Sequence, residues 1–520
     1  MEAIRKNRTQ IIVLAILAVL LFMAIQGMST RDWVVTVLRG LSVGAITFLV
    51  ASGFSIILGL MDVLNLAHGT LFMIGAYLGW SVYVRPDSFV DMLMPLALVA
   101  AGLMLMPLFG QLLSRLRLPA AVDRIWPWAG LAGAVGLLVP LWSRAPIAMW
   151  AADVYTDSPI VWSQNLETGA LAGLIQPARW EGIAPILGLA GLILVGLLAG
   201  LSLAGLNRRE GMVAGKLALR PLIGFGLLIV AGLAIYFAND ALTGLLLGMD
   251  TTLLFLIAIV VATVAGAGLG ALMEFSLIRP LYDRAIYQIM LTFGLAFIGT
   301  ELVRGIWGRT GFTMPRPSLF AGSGEGCPAT SIAGWLQHSC GTMAIEIGGE
   351  TARIRTYNEI FVIVVGLVVL VAVWILLQRS RLGMIIRAGV QDREMVEALG
   401  INVRRVFTLV FGLGVGLAAL GGVLAGPSMG LSDGMGANLL LGALIALAIG
   451  GLTSYPGAAA GSLLVGLLQQ FIIKYGAIGI NLPFVAEPFK PSPPLVPAST
   501  VLLMVIILLV MPQGLFGRKE

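Results

Sequence analysis

The stretch NLAHGTLFMIGAYLG, residues 65–79, sets one of the chain's two histidines at the head of an apolar run that carries Gly69, Gly75 and Gly79. In a soluble fold, a lone histidine there is a candidate base or metal ligand. In a membrane helix it is instead a rare polar group that braces the bundle or faces a solute path. The rest of the chain decides between these settings. Apolar residues fill 58% of 520 positions and charged ones 11%, against about 25% charged in an ordinary soluble chain. No soluble interior holds that much apolar surface, so the chain is read as an integral membrane protein.

Sixty-six glycines are nearly twice the usual share of about 7%. Hydrophobic association contributes little between helices in lipid, and small residues let backbones approach closely. Gly-x-x-x-Gly spacings at Gly40/Gly44, Gly75/Gly79, Gly266/Gly270, Gly412/Gly416, Gly422/Gly426 and Gly457/Gly461 therefore predict a tightly packed bundle. The net charge of +6 comes from arginines at the ends of apolar runs, as positive-inside orientation requires. No basic block with interleaved aromatics occurs, so no nucleic-acid partner is expected.

Fourteen apolar runs of helix length follow one another, from 11–28, 34–59 and 65–84 to 457–473 and 496–512. The fold class expected is an all-α polytopic membrane protein with about 12–14 transmembrane helices. With the basic N-terminal segment in the cytoplasm, alternation places SRLRLPAAVDR, NRREGMVAGKLALR, RPLYDR, the loop 379–405 and the tail inside, and 309–358 outside. Both ends then lie in the cytoplasm. Residues 1–33 are read as a retained signal-anchor helix, because no small-x-small cleavage site follows the first run.

Cys327 and Cys340 both fall in the outside loop, thirteen positions apart. That compartment permits a disulfide, and a bridge of this span is worth about 3 kcal/mol. Two free thiols are the alternative. A metal centre is disfavoured, since only His338 stands nearby and no second close cysteine pair exists.

The loop 379–405, RSRLGMIIRAGVQDREMVEALGINVRR, holds six arginines and three acids. Within it, DREMVEALG reads as a short amphipathic helix with Met395 and Leu399 on one face, Glu394 and Glu397 outward, and Gly400 as its stop. Such a helix on a cytoplasmic loop is a docking element for a partner; the plainer alternative is a helix lying on the membrane. The nearest approach to a phosphate loop, GMVAGKL at 211–217, is one residue short and lacks the hydroxyl after Lys216 that would hold magnesium. Energy must then come from another subunit or an ion gradient. The in-span charges are few, Glu274 near Arg279 and Glu301 near Arg304, and none forms a relay at mid-bilayer, which disfavours an ion-coupled carrier. A membrane enzyme is disfavoured too, for want of a nucleophile, base and orienting group.

In chain order, the segments LSVGAITFLVASGFSIILGLMDVLNLAHGTLFMIGAYLG, LMEFSLIRPLYDR, LTFGLAFIGTELVRGIWG, RLGMIIRAGVQDREMVEALGINVRRVFTLVFGLGVGLAALGGVLAGP, GGLTSYPGAAAGSLLVGLLQ and LLVMPQGLFGRK resemble the permease subunit of branched-chain amino acid (LivH-like) ABC importers. That family also serves urea and amides. The resemblance implies the permease fold and a bacterial cytoplasmic membrane. It also implies that Arg387, Asp392, Glu394, Glu397 and Gly400 meet the ATPase. The partners it implies are two ATP-binding cassette subunits, a second permease subunit (a homologous but different chain) and an extracytoplasmic substrate-binding protein. ATP and magnesium would be handled by those partners, with no cofactor on this chain. The solute expected is a branched-chain or other apolar amino acid, with urea or an amide as the alternative. The organisation expected is a helix at 1–33, permease core at 34–85, an inserted four-helix lobe at 86–250, core at 251–311, an outer loop at 312–358, and core with the coupling loop at 359–520. For Asn65, His68 and Gly69 two readings stand: they line or gate the path, or they bond to neighbouring backbone where Gly69 loosens the helix.

Overall fold

The computed structural model describes residues 28–115, 119–150, 159–207, 219–282, 284–391, 393–480 and 487–517. The run 11–28 up to its last residue, the phosphate-loop near-match at 211–217, Asp392 and the side chain of Glu394 lie outside the described residues. Ten described helices are long and apolar enough to cross a membrane, and Met435–Gly450 and Leu495–Val510 are shorter apolar helices. The chain is an all-α polytopic membrane protein, as its composition predicts.

In chain order the main elements are α1 (Thr30–Met61), α2 (His68–Val84), α3 (Pro86–Met104), α4 (Ala120–Trp142), α5 (Pro185–Asn207), α6 (Leu219–Phe237), α7 (Thr251–Met273) and α8 (Ala285–Trp307). A hairpin of β1 (Thr342–Ile347) and β2 (Glu350–Arg355) follows. After it come α9 (Val362–Arg379), α10 (Arg381–Gln391), α11 (Arg393–Ala398), α12 (Val403–Met429), α13 (Met435–Gly450), α14 (Tyr455–Ile478) and α15 (Leu495–Val510). Caps set several ends. Ser29 accepts from the Asp32 N–H at the start of α1, and Asn402 from the Arg405 N–H at the start of α12. Each satisfies a donor the first turn leaves open.

Two compact units form: residues up to Trp80 with those from Thr251 onward, and Ser81–Asp250. In the first, α1 and α12 are the buried centre. Glycines on one helix meet backbone on the next. A Cβ added at Gly53 would overlap the Gly414 carbonyl, one at Gly69 the Gly436 carbonyl, and one at Gly466 the Gly40 carbonyl. These pairs join α1 to α12, α2 to α13 and α14 to α1, and none has room for a side chain. The outer faces of α7, α8 and α9 expose Val260, Phe293 and Val364, the apolar surface a helix presents to lipid tails.

The second unit packs α3 against α5 and α6 around Met94, Leu98, Leu192 and Val195. A Cβ at Gly102 would fall on the Gly196 backbone, again a small-residue crossing. At one end a buried ion pair joins Arg85 Nη2 to Asp87 at 2.7 Å, with the Arg85 guanidinium 4.1 Å from the Trp162 ring centroid. Asp91 accepts from the Ala148 N–H and from Asn239, each at 2.8 Å.

The loop 309–358 is folded rather than extended, which sequence reading does not anticipate. Residues 342–355 form an antiparallel hairpin turning at Gly348 and Gly349, both at positive φ, as a two-residue hairpin turn demands. Cys327 and Cys340 are joined by a disulfide, with Cα atoms 5.5 Å apart. Ala329, Cys340, Met343 and Ile354 make a small core against Val35 and Leu38 of α1.

Candidate functional site: a polar cavity, a helix break and a loop helix

Three places in the first unit carry polar groups that packing alone does not require. The first is a cavity of about 570 Å³ between α1, α13, α14 and the end of α12. Its wall is rich in polar groups: Arg39, Ser42 and Thr47 from α1, Asn358 and Glu359 after the hairpin, Ser428 from α12, Asn438 from α13, and Gln469 and Gln470 from α14. Arg39 Nε lies 3.2 Å from Glu359 Oε1, and Glu359 is itself buried and also accepts from the Arg355 N–H. Ser428 donates to Asn358 at 3.1 Å. Glu359 sits in the π-helical turn Tyr357–Phe361 that opens α9, an irregularity common at functional sites. Such a wall can exchange hydrogen bonds with a small polar solute and meet either charge of a zwitterion.

The second place is the break between α1 and α2. α1 ends at Met61, capped by Asp62 in the left-handed conformation, and residues 62–67 are not helical. Asn65 therefore lies in the break and His68 is the first residue of α2, so the two do not share a helix face. Asn65 Oδ1 accepts from the Ala67 N–H at 3.1 Å, a local bond that competes with helix. His68 is fully buried, with Nε2 3.1 Å from the Val50 carbonyl and its ring edge-on to Phe54. Thr292 of α8 braces the break by accepting from the Leu66 N–H at 3.2 Å. Gly69 packs on Gly436. None of Asn65, His68 and Gly69 lines the cavity.

The loop 379–405 is the third. Arg387 folds back and donates to the Leu377 carbonyl at 2.7 Å and to Gln378 at 2.8 Å. It thereby closes the turn at the end of α9, where a cation also meets the negative end of the helix dipole. On α11, Val396 is buried against Val403 and Phe407. Met395 and Leu399 are 60% and 73% exposed, so the apolar face of this short helix points away from its own bundle. Gly400 ends the helix at φ +81°, its N–H bonded to the Glu397 carbonyl at 3.0 Å. Glu397 is exposed. Val396, the anchor, is missed by a reading that looks for charge and exposed apolar pairs; its signal is its place between Met395 and Glu397, one turn before Gly400.

At the other end of the helices, Arg304 bonds Glu301 at 2.6 Å and Asp433 at 2.8 Å. Sequence spacing gives the first partner, while the second comes from a distant loop. Among the described residues no group of three or more His, Cys, Asp or Glu is placed to hold a metal ion.

The structure is a bundle of membrane-spanning helices with Gly-packed crossings, a polar cavity between them and a short loop helix anchored by Val396, an arrangement that suits a membrane permease. The family model described as "Branched-chain amino acid transport system / permease component" matches residues 36–124 and 186–511, and the chain belongs to that family. The match takes in much of the second unit and omits 125–185. Among relatives, the chain is 33% identical over 166 residues to the high-affinity branched-chain amino acid transport system permease protein BraD of Pseudomonas aeruginosa, covering 32% of this chain and 49% of that one. It is 32% identical over 171 residues to LivH of Escherichia coli, covering 33% and 50%. The fructose import permease protein FruF of Bifidobacterium longum is 27% identical over 327 residues, covering 60% and 74%. The chain thus spans about half the length of the branched-chain relatives it matches. No solved structure matches it.

Proposed function

We propose that this chain is the transmembrane subunit of an ATP-driven importer for branched-chain or other apolar amino acids in a bacterial cytoplasmic membrane, with both termini inside. The observation that carries this is α11, held by Val396 while presenting Met395 and Leu399 outward, on a chain of this permease family. A buried anchor with two exposed apolar side chains suits a groove on a separate ATPase, whose ATP and magnesium supply the energy. Arg387, Asp392, Glu394, Glu397 and Gly400 form and flank that contact. The polar cavity is this chain's share of the solute path, completed by a second permease subunit. Asn65, His68 and Gly69 brace the helix break between α1 and α2. The disulfide-bridged outer loop is a rigid platform for a substrate-binding protein. The segment 86–250, of which 125–185 lies outside the family match, is a lobe that contacts lipid or an accessory partner.

A second solute class has its own support. The longest of these matches, over 60% of the chain, is to a protein named a fructose permease, and the cavity wall is amide- and hydroxyl-rich. The test is purification of the complex from its native membrane through a tag on this chain, then uptake into proteoliposomes of leucine, fructose and urea in parallel. Leucine uptake that needs internal ATP and persists with an uncoupler supports the reading. ATP-dependent uptake of fructose or urea alone moves the solute assignment, and uptake abolished by the uncoupler alone replaces the ATP-driven mechanism.

A further inference from the structure

The inner end of α7 carries a buried polar cluster that the proposed path and docking loop leave unexplained. α7 passes into a π-helical turn at Glu274–Ile278 and a 3₁₀ turn at Arg279–Leu281. The change of register turns Glu274 fully inward. Its carboxylate accepts from Arg279 Nη2 at 2.9 Å, from Arg279 Nε at 3.2 Å, from Thr408 at 2.6 Å, and from the Tyr282 hydroxyl. Arg279 also donates to the Thr408 hydroxyl at 2.6 Å and to the Arg404 carbonyl at 3.4 Å. Apart from Tyr282, which directly follows the turn, the partners of this pair lie on the first turns of α12. The same turns hold Val403 and Phe407, on which the docking helix rests its Val396, and the Tyr282 ring packs edge-on to Phe407.

α12 runs from this point through the buried centre to the cavity. It has 27 residues, a span of about 40 Å, and its far end supplies Ser428 and Met429 to the cavity wall. A buried ion pair recovers little stability once its desolvation is counted, and well-packed apolar residues would hold the fold as well. Its geometry does fix direction. Three hydrogen bonds cross from this turn to α12, Thr408 to Glu274 and Arg279 to Thr408 and to the Arg404 carbonyl, and they oppose sliding or rotation of α12 against α7. We infer that Glu274 and Arg279 are positioning residues that clamp the cytoplasmic end of α12, so that movement imposed on the docking helix reaches the cavity along a helix held in register. The inference rests on the proposed coupling to a separate ATPase.

The test uses the complex purified through a tag on this chain and reconstituted in proteoliposomes, with leucine as solute. It compares Glu274→Gln with Thr408→Val, which removes one hydroxyl and no charge. The readouts are ATPase retained on the tagged chain, melting temperature, ATP hydrolysed and leucine imported. The clamp predicts ATPase retention within error of wild type, hydrolysis within about two-fold, and leucine imported per ATP reduced at least five-fold in both variants, with melting unchanged in Thr408→Val and lowered in Glu274→Gln, which leaves the Arg279 charge without its carboxylate. The double variant should be no worse than the poorer single one, since both act on one contact. An unchanged ratio of leucine to ATP in both variants overturns the inference. So does a loss of import in strict proportion to lost ATPase or lost stability, which is the signature of a purely structural pair. If the unaltered chain retains no ATPase, the underlying coupling assignment fails instead, a result visible before any variant is compared.

Discussion

Gly400 shows how one backbone angle ends a helix. Its φ of +81° lies where L-residues meet their own carbonyl, yet a Cβ built there touches nothing within 4 Å. Space is therefore no obstacle to substitution, and conformation is. A β-branched residue there costs on the order of 1–2 kcal/mol in backbone strain, which is relieved by unwinding the last turn of α11 and displacing Leu399. Asn, which tolerates the left-handed region, is the matched control. Gly400→Val should insert in the membrane at wild-type levels but import at least several-fold less leucine per ATP, and Gly400→Asn should keep most of the coupling. Equal loss in both would mean that the backbone angle is not the cause. The stop at Gly400 is legible in sequence because glycine after an amphipathic turn has few other meanings. Arg387 is legible only as a charge near the loop, because its acceptors at Leu377 and Gln378 depend on how the turn closes. Asn65 and His68 sit three apart, which suggests a shared helix face, but Asn65 bonds its own neighbouring backbone and the helix breaks there.

Helix crossings show a similar division. The glycine spacings announce close packing but not its partners, since the residue that Gly40 meets, Leu467, lies far along the chain. Where the crossing is backbone on backbone, added volume cannot be absorbed by a rotamer change. Gly53→Val would drive a side chain into the Gly414 carbonyl, and overpacking of this kind costs about 1–3 kcal/mol. The expected result is a melting temperature several degrees lower in detergent and a smaller monodisperse fraction. Gly268 lies on α7 with nothing within 4 Å of an added Cβ, so Gly268→Ala should melt at or slightly above wild type. A fall of the same size in both would show that glycine content, not these crossings, holds the bundle. The hairpin at 342–355 had a local signal in its paired glycines between short alternating runs, but in a chain dominated by helix-length apolar runs so brief an alternation is easily passed over.

Orientation belongs to the whole chain, because no single loop fixes it. Arginines gather in the connections that alternation puts inside, and the bridged cysteines stand in a connection it puts outside. The lobe at 86–250 preserves this only if it crosses an even number of times, and four of its helices, beginning at Pro86, Ala121, Pro185 and Leu219, are long and apolar enough to do so. Three positions test the arrangement. Leu399 is exposed on the docking loop, Thr168 is exposed between the second and third lobe helices, and Cys327 with Cys340 marks the outer loop. In Leu399→Cys, a membrane-impermeant maleimide should label the new thiol in inside-out vesicles and not in right-side-out ones. In Thr168→Cys the pattern should invert. The native pair should stay unlabelled until reduced and then react from the same side as residue 168. Labelling of residues 168 and 327 from opposite faces would make the number of crossings between them odd. It would also reverse the side on which either the lobe's loop or the outer platform is presented. Labelling of residue 399 from outside would remove the docking loop from reach of any cytoplasmic ATPase, because a short helix with Met395 and Leu399 exposed can bind only what shares its compartment.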